Sequence, residues 1–185
     1  VGVDNIDVAY AEEKGITVRN TPRASSDAVA ELALGHMFSV ARYISAAGHT
    51  MREGGWEKKA YKGIELAGRT VGIVGYGRIG QALGRRCQAL GMRVLAYDIY
   101  QNPDLVCDTM RYVELDELFA QSDIISLHVP SLPGQPLVNA ETIAKMKDGV
   151  ILINTSRGTN VDEDALLAAI ESGKVLSLIH ISEPT

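Results

Sequence analysis

The sequence lacks the features that mark several classes of protein. Its 185 residues hold two cysteines, Cys87 and Cys107, too few for a disulfide framework or a metal cage, so both are predicted to be reduced and no metal site is predicted. The net charge of −5 comes without basic clusters, which argues against nucleic acid or an anionic membrane as the main partner. No apolar run reaches the roughly 18 residues that span a bilayer. No methionine stands at Val1, so the chain looks cut from a longer protein and the absence of a signal peptide is uninformative.

A glycine-rich turn follows an apolar strand in the middle of the chain. Residues 70–84 read TVGIVGYGRIGQALG, with three glycines at Gly75, Gly77 and Gly80. In a strand–turn–helix unit the first glycine permits the turn, the second leaves room for a pyrophosphate, and the third lets the helix pack on the strand. Free N–H groups around Arg78 and Ile79 would face an anion at the positive end of the helix. The pattern predicts a phosphate-binding turn, and a glycine turn without ligand is the alternative.

A second strand, ending in a carboxylate, follows the helix predicted from about Arg78 to Leu90. Residues 93–98 read RVLAYD, and Asp98 lies 18 residues after Gly80. Dinucleotide-binding folds hold near this place the acid that accepts hydrogen bonds from the adenosine ribose. A negative charge there repels a 2′-phosphate, so the predicted cofactor is NAD rather than NADP. The alternative for Asp98 is a strand-end turn residue.

Two later apolar strands also end in residues that can carry chemistry. The strand predicted over residues 124–129 ends in His128-Val129-Pro130, and the strand over residues 150–154 leads into Thr155-Ser156-Arg157-Gly158. The carboxyl ends of parallel strands line the ligand crevice, so both segments are predicted to reach it. The guanidinium of Arg157 could bind a carboxylate there through two hydrogen bonds. The alternatives are a structural hydrogen bond for His128 and a surface ion pair for Arg157.

The remaining segments alternate between helix and strand. Helices are predicted over residues 7–14, 115–121, 140–147 and 163–172, a short strand over 16–19, and irregular chain over 101–112. Strand, helix and strand repeat through the chain. This alternation predicts an α/β fold with a doubly wound, Rossmann-like parallel sheet.

A long helix is predicted to begin at Ser25 or Ser26 and to continue to about Arg52, because apolar residues recur at spacings of three and four. Its apolar face is larger than one sheet needs. Part of it is therefore predicted to pack on a second subunit, with an ordinary core helix as the alternative. His36 and His49 have no carboxylate or cysteine in register and are expected at the surface or an interface.

Together these segments resemble the D-isomer-specific 2-hydroxyacid dehydrogenases over residues 1–175. Six stretches in the family's order carry the resemblance: VGVDNID at 1–7, AEL at 30–32, GIVGYGRIG at 72–80, YD at 97–98, LHVP at 127–130 and INTSRG at 153–158. Within the family, WEKK at 56–59 and the loop at 132–137 look most like the D-3-phosphoglycerate dehydrogenases.

The resemblance implies a role for each candidate residue. The cofactor's pyrophosphate would lie on the glycine turn, formed by Gly75, Tyr76, Gly77, Arg78, Ile79 and Gly80. Asp98 would hold the ribose, and the nicotinamide side would be lined by His128, Val129, Pro130, Thr155, Ser156 and Arg157. Arg157 would be the catalytic arginine that holds the substrate carboxylate and keto oxygen while hydride passes between C2 and the nicotinamide. Backbone N–H groups of Val1 and Gly2 would help to bind that carboxylate.

The resemblance also implies what the whole protein does. It is expected to be a cytoplasmic NAD-dependent oxidoreductase that acts on a small 2-hydroxy or 2-keto acid and dimerises through the helix after Ser26. The candidate substrates are 3-phosphoglycerate in serine biosynthesis, and hydroxypyruvate or glyoxylate. Residues 1–20 would end the substrate domain and residues 21–175 would form the NAD-binding domain. The family's acid–base Glu and His, which lie beyond Arg157, are expected to be missing, so this fragment is expected to bind NAD weakly and to be inactive.

The last ten residues depart from the family. Residues 176–185 read LSLIHISEPT, which resembles an in-frame translation of a transposase sequencing adapter, so this tail is expected to be non-native. His180 and Glu183 would only imitate the missing pair. Leu178, Ile179 and Ile181 could still fill the place of the next strand, because β-branched and apolar residues often suffice there.

Two other function classes share this fold. A binding protein similar to the NAD-responsive C-terminal-binding-protein corepressors would use the cofactor to control assembly rather than chemistry. An L-specific lactate or malate dehydrogenase would share the glycine turn, but it has no place for the INTSRG stretch after the fifth strand.

Overall fold

A parallel sheet forms the centre of the structure, a computed structural model that describes residues 3, 6–21, 23–131 and 134–180. Within these residues the strands are β1 (Thr70–Val74), β2 (Arg93–Tyr97), β3 (Met110–Tyr112), β4 (Ile124–Leu127), β5 (Val150–Asn154) and β6 (Val175–His180). Their order is β3-β2-β1-β4-β5-β6, and every named pair is parallel. The predicted doubly wound α/β fold is confirmed.

Helices cover both faces of the sheet. They are α1 (Val8–Glu13), α2 (Ser26–Ala41), α3 (Ile44–Arg52), α4 (Arg78–Ala89), α5 (Leu115–Gln121), α6 (Ala140–Lys145) and α7 (Glu163–Glu171), with short 3-10 turns at Pro103–Leu105 and Gly158–Asn160. One buried cluster joins α2 and α4 to the sheet, and a second joins α5, α6 and α7 to its other face. Strands β1 and β5 are buried along their whole length because both of their faces are covered. Among the described residues, no helix is long and apolar enough to cross a membrane.

The strand order places the ligand crevice. From β1 the sheet grows to one side through β2 and β3 and to the other through β4, β5 and β6, so the order reverses between β1 and β4. Four neighbouring strands end in register, at Tyr97, Val74, Leu127 and Asn154. Open parallel sheets bind ligands outside the carboxyl ends of the strands at this reversal. The segments that leave these four strand ends therefore meet at one edge.

The prediction of one long helix after Ser26 is wrong, because α2 and α3 are separate helices. Tyr43 stands between them with φ of 55°, a left-handed conformation that ends an α-helix. The carbonyl of Ala41 instead accepts a hydrogen bond from Ile64 N at 2.8 Å. The apolar spacing in the sequence runs on across this break, so periodicity alone could not reveal it.

Two further expectations for the backbone are wrong. Residues 16–19 form no strand, and Ile16 is exposed rather than paired in the sheet. The stretch at 101–112, expected to be irregular, contains the edge strand β3, which pairs with β2. Three residues at a sheet edge bury too little apolar surface to give a strong sequence signal, and here only Met110 is fully buried.

Other expectations about single residues can be compared with the structure. Both cysteines are free, Cys87 buried and Cys107 exposed, as predicted. His49 is exposed, whereas His36 is partly buried and burial lowers its pKa. Strand β6 pairs with β5, so residues 176–180 of the tail do take the place of the next strand. Ile181 lies outside the described residues, and the non-native origin of the tail stays a prediction.

Candidate cofactor site

The glycine turn between β1 and α4 has the steric properties that its sequence predicts. Gly75 has φ of +91°, and a Cβ there would lie 2.6 Å from the carbonyl oxygen of His128. A Cβ on Gly80 would overlap the carbonyl oxygen of Gly75, so only glycine lets α4 start this close to the strand. Beside Gly77, by contrast, a Cβ would meet nothing within 4 Å. The turn therefore leaves open space at the second glycine, where a pyrophosphate was predicted.

The start of α4 faces the same space. Gly77 is the N-cap of this twelve-residue helix and, as a glycine, has no side chain to form a capping hydrogen bond. The first N–H groups of a helix have no partner within the helix, and they lie at the positive end of its dipole. An anion bound beside Gly77 would satisfy the N–H groups around Arg78 and Ile79.

The side chain of Tyr76 is part of the protein core. Its side chain is 4% exposed, packs over Gly84 and stands edge-on to the ring of Tyr112 at 5.8 Å. Burial raises the pKa of Tyr76 to about 12. Its carbonyl oxygen accepts a hydrogen bond from Gln81 Nε2 at 3.0 Å, which fixes the backbone of the turn. Of the residues predicted to contact a cofactor, Tyr76 thus offers its backbone, because its ring is already packed.

Asp98 shares one groove with the glycine turn. The groove has a volume of about 440 Å³ and is lined by Tyr76, Gly77, Gln81, Asp98, Tyr100, Gln101 and Asn102. Asp98 follows the last residue of β2, and its Oδ1 accepts a hydrogen bond from Tyr100 N at 3.0 Å. The fold thus brings the carboxylate of Asp98 and the glycine turn together in one groove.

His128 is held at the end of β4 by hydrogen bonds. Its backbone N donates to the carbonyl of Val74 at 2.8 Å, and its ring Nε2 lies 2.9 Å from Ser126 Oγ. The structural hydrogen bond considered as an alternative is therefore present. Burial lowers the pKa of His128 to about 4, so the ring is neutral at neutral pH. Its Nδ1 is buried without a hydrogen-bond partner in the described structure.

The turn at residues 155–157 is built around the buried side chain of Asn154. Asn154 Oδ1 accepts hydrogen bonds from Ser156 N at 3.0 Å and Ser156 Oγ at 2.7 Å, while Asn154 Nδ2 donates to Arg157 O at 2.9 Å. This arrangement presents Arg157 with an exposed side chain at the carboxyl edge of the sheet, and its NH1 donates to Ser156 O at 3.1 Å. The hydroxyl of Thr155 is buried without a partner in the part of the chain that is described.

Sequence reasoning missed two buried asparagines at this edge. The sequence pattern predicts Asn154 only as the last residue of a strand and indicates no role for Asn160. Both are almost fully buried. A signal existed for Asn154, because a polar residue that ends the apolar strand VILIN must find hydrogen-bond partners when the strand is buried. No comparable signal marked Asn160, whose partner Val129 lies on another loop.

The arrangement fits a dinucleotide. The open space beside Gly77, the uncapped start of α4 and the unpartnered buried atoms His128 Nδ1 and Thr155 Oγ1 all lie on segments that leave the same sheet edge. Val1 and Gly2, predicted to help bind a substrate carboxylate, lie outside the described residues. Within the described part of the chain, no group of three or more His, Cys, Asp or Glu side chains could hold a metal ion.

Comparison with known proteins points to one family. The family model described as "D-isomer specific 2-hydroxyacid dehydrogenase, NAD binding domain" matches residues 34–179. A hydroxypyruvate reductase of Thermotoga maritima is 50% identical over 191 residues, an alignment that covers 100% of this chain and 61% of that protein. A D-3-phosphoglycerate dehydrogenase of Methanocaldococcus jannaschii is 45% identical over 179 residues, 95% of this chain and 34% of that protein. The chain thus spans 61% of the length of the first relative and 34% of the second.

Solved structures show the same similarity. The crystal structure of D-lactate dehydrogenase from Aquifex aeolicus in complex with NAD and lactic acid superposes with a TM-score of 0.84 at 38% identity. The match covers 96% of this chain and 54% of that one. The similarity therefore extends over nearly the whole of this chain and about half of the solved protein.

Proposed function

The chain belongs to the D-isomer-specific 2-hydroxyacid dehydrogenase family, matching its NAD-binding domain, and on this premise we propose that the whole protein transfers hydride between C2 of a small D-2-hydroxy acid and NAD. One observation carries the proposal. Four strands end in register, and the segments that follow them include the glycine turn, Asp98, His128 and Arg157. This alignment supports the proposal, because it puts along one edge the residues to which we assign phosphate binding, ribose binding and carboxylate binding.

Each part of the edge has a proposed role. The N–H groups of Arg78 and Ile79 bind the pyrophosphate, and Asp98 accepts hydrogen bonds from the adenosine ribose. Residues 128–130 and 155–157 line the nicotinamide end. NAD, when bound, supplies the ring that accepts or donates the hydride. Two unpartnered buried atoms on these segments, His128 Nδ1 and Thr155 Oγ1, support this placement.

Arg157 is the proposed catalytic residue of this chain. Its guanidinium carries a fixed positive charge and several N–H donors, and it lies exposed at the carboxyl edge. It binds the substrate carboxylate and donates to the C2 oxygen, where negative charge develops as hydride reaches the keto acid. The hydrogen bonds from Asn154 hold the backbone of this turn, so that the guanidinium is presented from a fixed base.

The substrate is a small acid with an oxygen on C2 beside its carboxylate. Relatives named hydroxypyruvate reductase and D-3-phosphoglycerate dehydrogenase both match this chain. Hydroxypyruvate and 3-phosphohydroxypyruvate share the group that Arg157 would bind and differ by a phosphate. An assay of both keto acids, with glyoxylate as a third candidate, therefore decides which of them is the substrate.

We also propose that the outer face of α2 and α3 forms a homodimer contact. Leu32, Ile44 and Met51 are all exposed there, with Leu32 at 41%. The inner face of α2 is already used, because Ala30, Ala33 and Met37 are fully buried against the rest of the domain. An apolar face that remains exposed on a helix favours a partner surface.

The test has two arms. In the first, calorimetric titration of the 185-residue chain with NADH is expected to show weak binding, and no turnover is expected from this chain alone. In the second, the reading frame is extended into the region that supplies the family's acid–base pair, and oxidation of NADH is followed with each keto acid. The Arg157→Ala variant is expected to keep NADH binding and to lose turnover. A chain that does not bind NADH would overturn the proposal, and hydride transfer by the 185-residue chain would overturn the assignment of the acid–base group to the missing region.

A further inference from the structure

The side chain of Asn160 joins two loops that are distant in sequence. Asn160 is 1% exposed and ends the 3-10 turn that follows Arg157. Its Nδ2 donates to the carbonyl oxygen of Val129 at 3.2 Å and to Ser156 Oγ at 3.2 Å. One amide group thus connects the segment at 128–130, which leaves β4, with the turn at 155–157, which leaves β5.

The chemistry of these partners requires an asparagine amide. The carbonyl of Val129 can only accept a hydrogen bond, so the nitrogen of the Asn160 amide has to face it. Ser156 Oγ donates its O–H hydrogen bond to Asn154 Oδ1 at 2.7 Å, and therefore accepts from Asn160. Both N–H groups of Asn160 are then used, in a directed chain that runs from Asn160 through Ser156 to Asn154. An aspartate would place an acceptor against two acceptors, and a leucine would leave both without a donor.

The connection lies where the sheet itself no longer holds the two segments together. The β4–β5 ladder ends at the pair Leu127 and Asn154, so residues 128–130 and 155–157 lie beyond its last pair. The backbone of Asn160 is fixed from the other side, because its carbonyl accepts from Val138 N at 3.0 Å. The amide therefore projects from a firmly held backbone into the gap between the two segments.

We propose that Asn160 is a positioning residue that sets the separation of the 128–130 and 155–157 segments, and thereby the width of the space between them that the proposed function assigns to the nicotinamide. The inference rests on the proposed function, which assigns these two segments to the nicotinamide. The inference predicts that changing Asn160 affects binding of the nicotinamide and not of the adenosine and pyrophosphate. The glycine turn and Asp98, to which we assign those two groups, have no hydrogen bond to Asn160 among those described.

The test compares two ligands that differ at one end. NADH carries the nicotinamide, and ADP-ribose keeps the adenosine, pyrophosphate and second ribose without it. Both are titrated by calorimetry into the 185-residue chain and into the variants Asn160→Asp and Asn160→Leu. The dissociation constant of NADH is expected to rise about tenfold in each variant, the effect of roughly one misplaced hydrogen-bonded contact, while that of ADP-ribose stays within about twofold. The matched control is Ser122→Ala, which removes another fully buried side-chain hydrogen bond, from Ser122 Oγ to Leu118 O at 2.6 Å, at the opposite edge of the sheet.

Each outcome decides the matter. If the ratio of the two dissociation constants is unchanged in folded variants, because affinity for both ligands stays the same or falls equally, the proposed role of Asn160 is wrong. If the variants do not fold, the side-chain NH₂ signals of Asn160 in the unmutated chain are followed by NMR. They are expected to shift with NADH and not with ADP-ribose, and identical responses would overturn the inference. A chain that fails to bind ADP-ribose overturns the proposed function itself, and is thereby distinguished from a failure confined to Asn160.

Discussion

Two glycines of the same turn are expected to respond in opposite ways when each is replaced by alanine. At Gly77 the new methyl group would enter open space, whereas at Gly80 it would overlap the carbonyl oxygen of Gly75 and lie 3.1 Å from Ile73 Cγ2. The first change alters only the volume left for a ligand. The second change forces the start of α4 away from β1.

The expected sizes follow from these environments. At Gly77, the loss of a good N-cap residue costs about 1 kcal/mol and the lower entropy of the unfolded chain returns about 0.4–1 kcal/mol, so stability is expected to change by less than about 0.6 kcal/mol. The methyl group would displace a pyrophosphate from at least one charge-assisted N–H contact, worth about 2 kcal/mol or roughly 30-fold in affinity. At Gly80 the overlap with backbone is expected to cost about 3 kcal/mol, which lowers Tm by roughly 6–12 °C for a chain of this size.

Thermal unfolding and NADH titration of both variants test the reasoning together. Gly77→Ala is expected to melt like the unmutated chain and to bind NADH about 30-fold more weakly. Gly80→Ala is expected to melt earlier. If Gly77→Ala binds NADH with unchanged affinity, the open space beside that glycine does not hold the pyrophosphate. If Gly80→Ala melts at the parent temperature, the close packing of α4 on the turn is not what requires glycine.

Three further perturbations address other parts of the molecule. Asp98→Asn removes the charge that repels a 2′-phosphate, so the preference for NADH over NADPH is expected to fall about tenfold in parallel titrations, and an unchanged ratio would argue against Asp98 as the ribose acceptor. His128 has a folded pKa of about 4 against an ordinary 6.5, so the folded chain binds fewer protons than the unfolded one and loses about 2 kcal/mol of stability between pH 7 and pH 5. Urea unfolding at both pH values is expected to show that His128→Gln removes this loss. An equal loss of unfolding free energy in the variant would contradict the prediction. Leu32→Glu is expected to turn a dimer into a monomer in light scattering, whereas Leu167→Glu, at a leucine that is 57% exposed on α7, should leave the mass unchanged; a dimer in both variants would place the interface elsewhere.

The sequence predicted those parts of the fold in which local pattern and tertiary demand agree. Strand β5 is apolar throughout because both of its faces are buried, and its predicted bounds match the structure. Helix α5 also matches at both ends, since its apolar residues Leu118 and Phe119 face the core. The glycine turn was readable because each glycine answers a steric demand within a few residues.

Features that depend on contacts between residues distant in sequence could not be predicted from local pattern. The break between α2 and α3 is accompanied by a hydrogen bond from Ile64 N to Ala41 O, two residues that lie 23 positions apart in the chain. Asn160 has the same character, because its partner Val129 lies 31 residues away. A pattern within one segment carries no information about such contacts, and only the packed fold brings their members together.

The titratable groups at the carboxyl edge limit what this chain can do to a bound substrate. Oxidation at C2 of a hydroxy acid requires a group that takes up the hydroxyl proton near neutral pH. The guanidinium of Arg157 offers N–H donors and no acceptor for a proton. Asp98 follows β2, three strands away from β5 and thus about 14 Å from the turn that bears Arg157.

His128 lies closer to that turn than Asp98 does. Burial holds the pKa of His128 at about 4, so the ring does not carry a proton at neutral pH. Its Nε2 is hydrogen-bonded to Ser126 Oγ and becomes available only when that bond breaks. If these three groups bind and orient as proposed, the proton has to be exchanged by a residue outside this set. On the proposed function we therefore expect this chain to bind NADH without oxidising it, and turnover restored by a histidine of the extended reading frame would identify the group that completes the site.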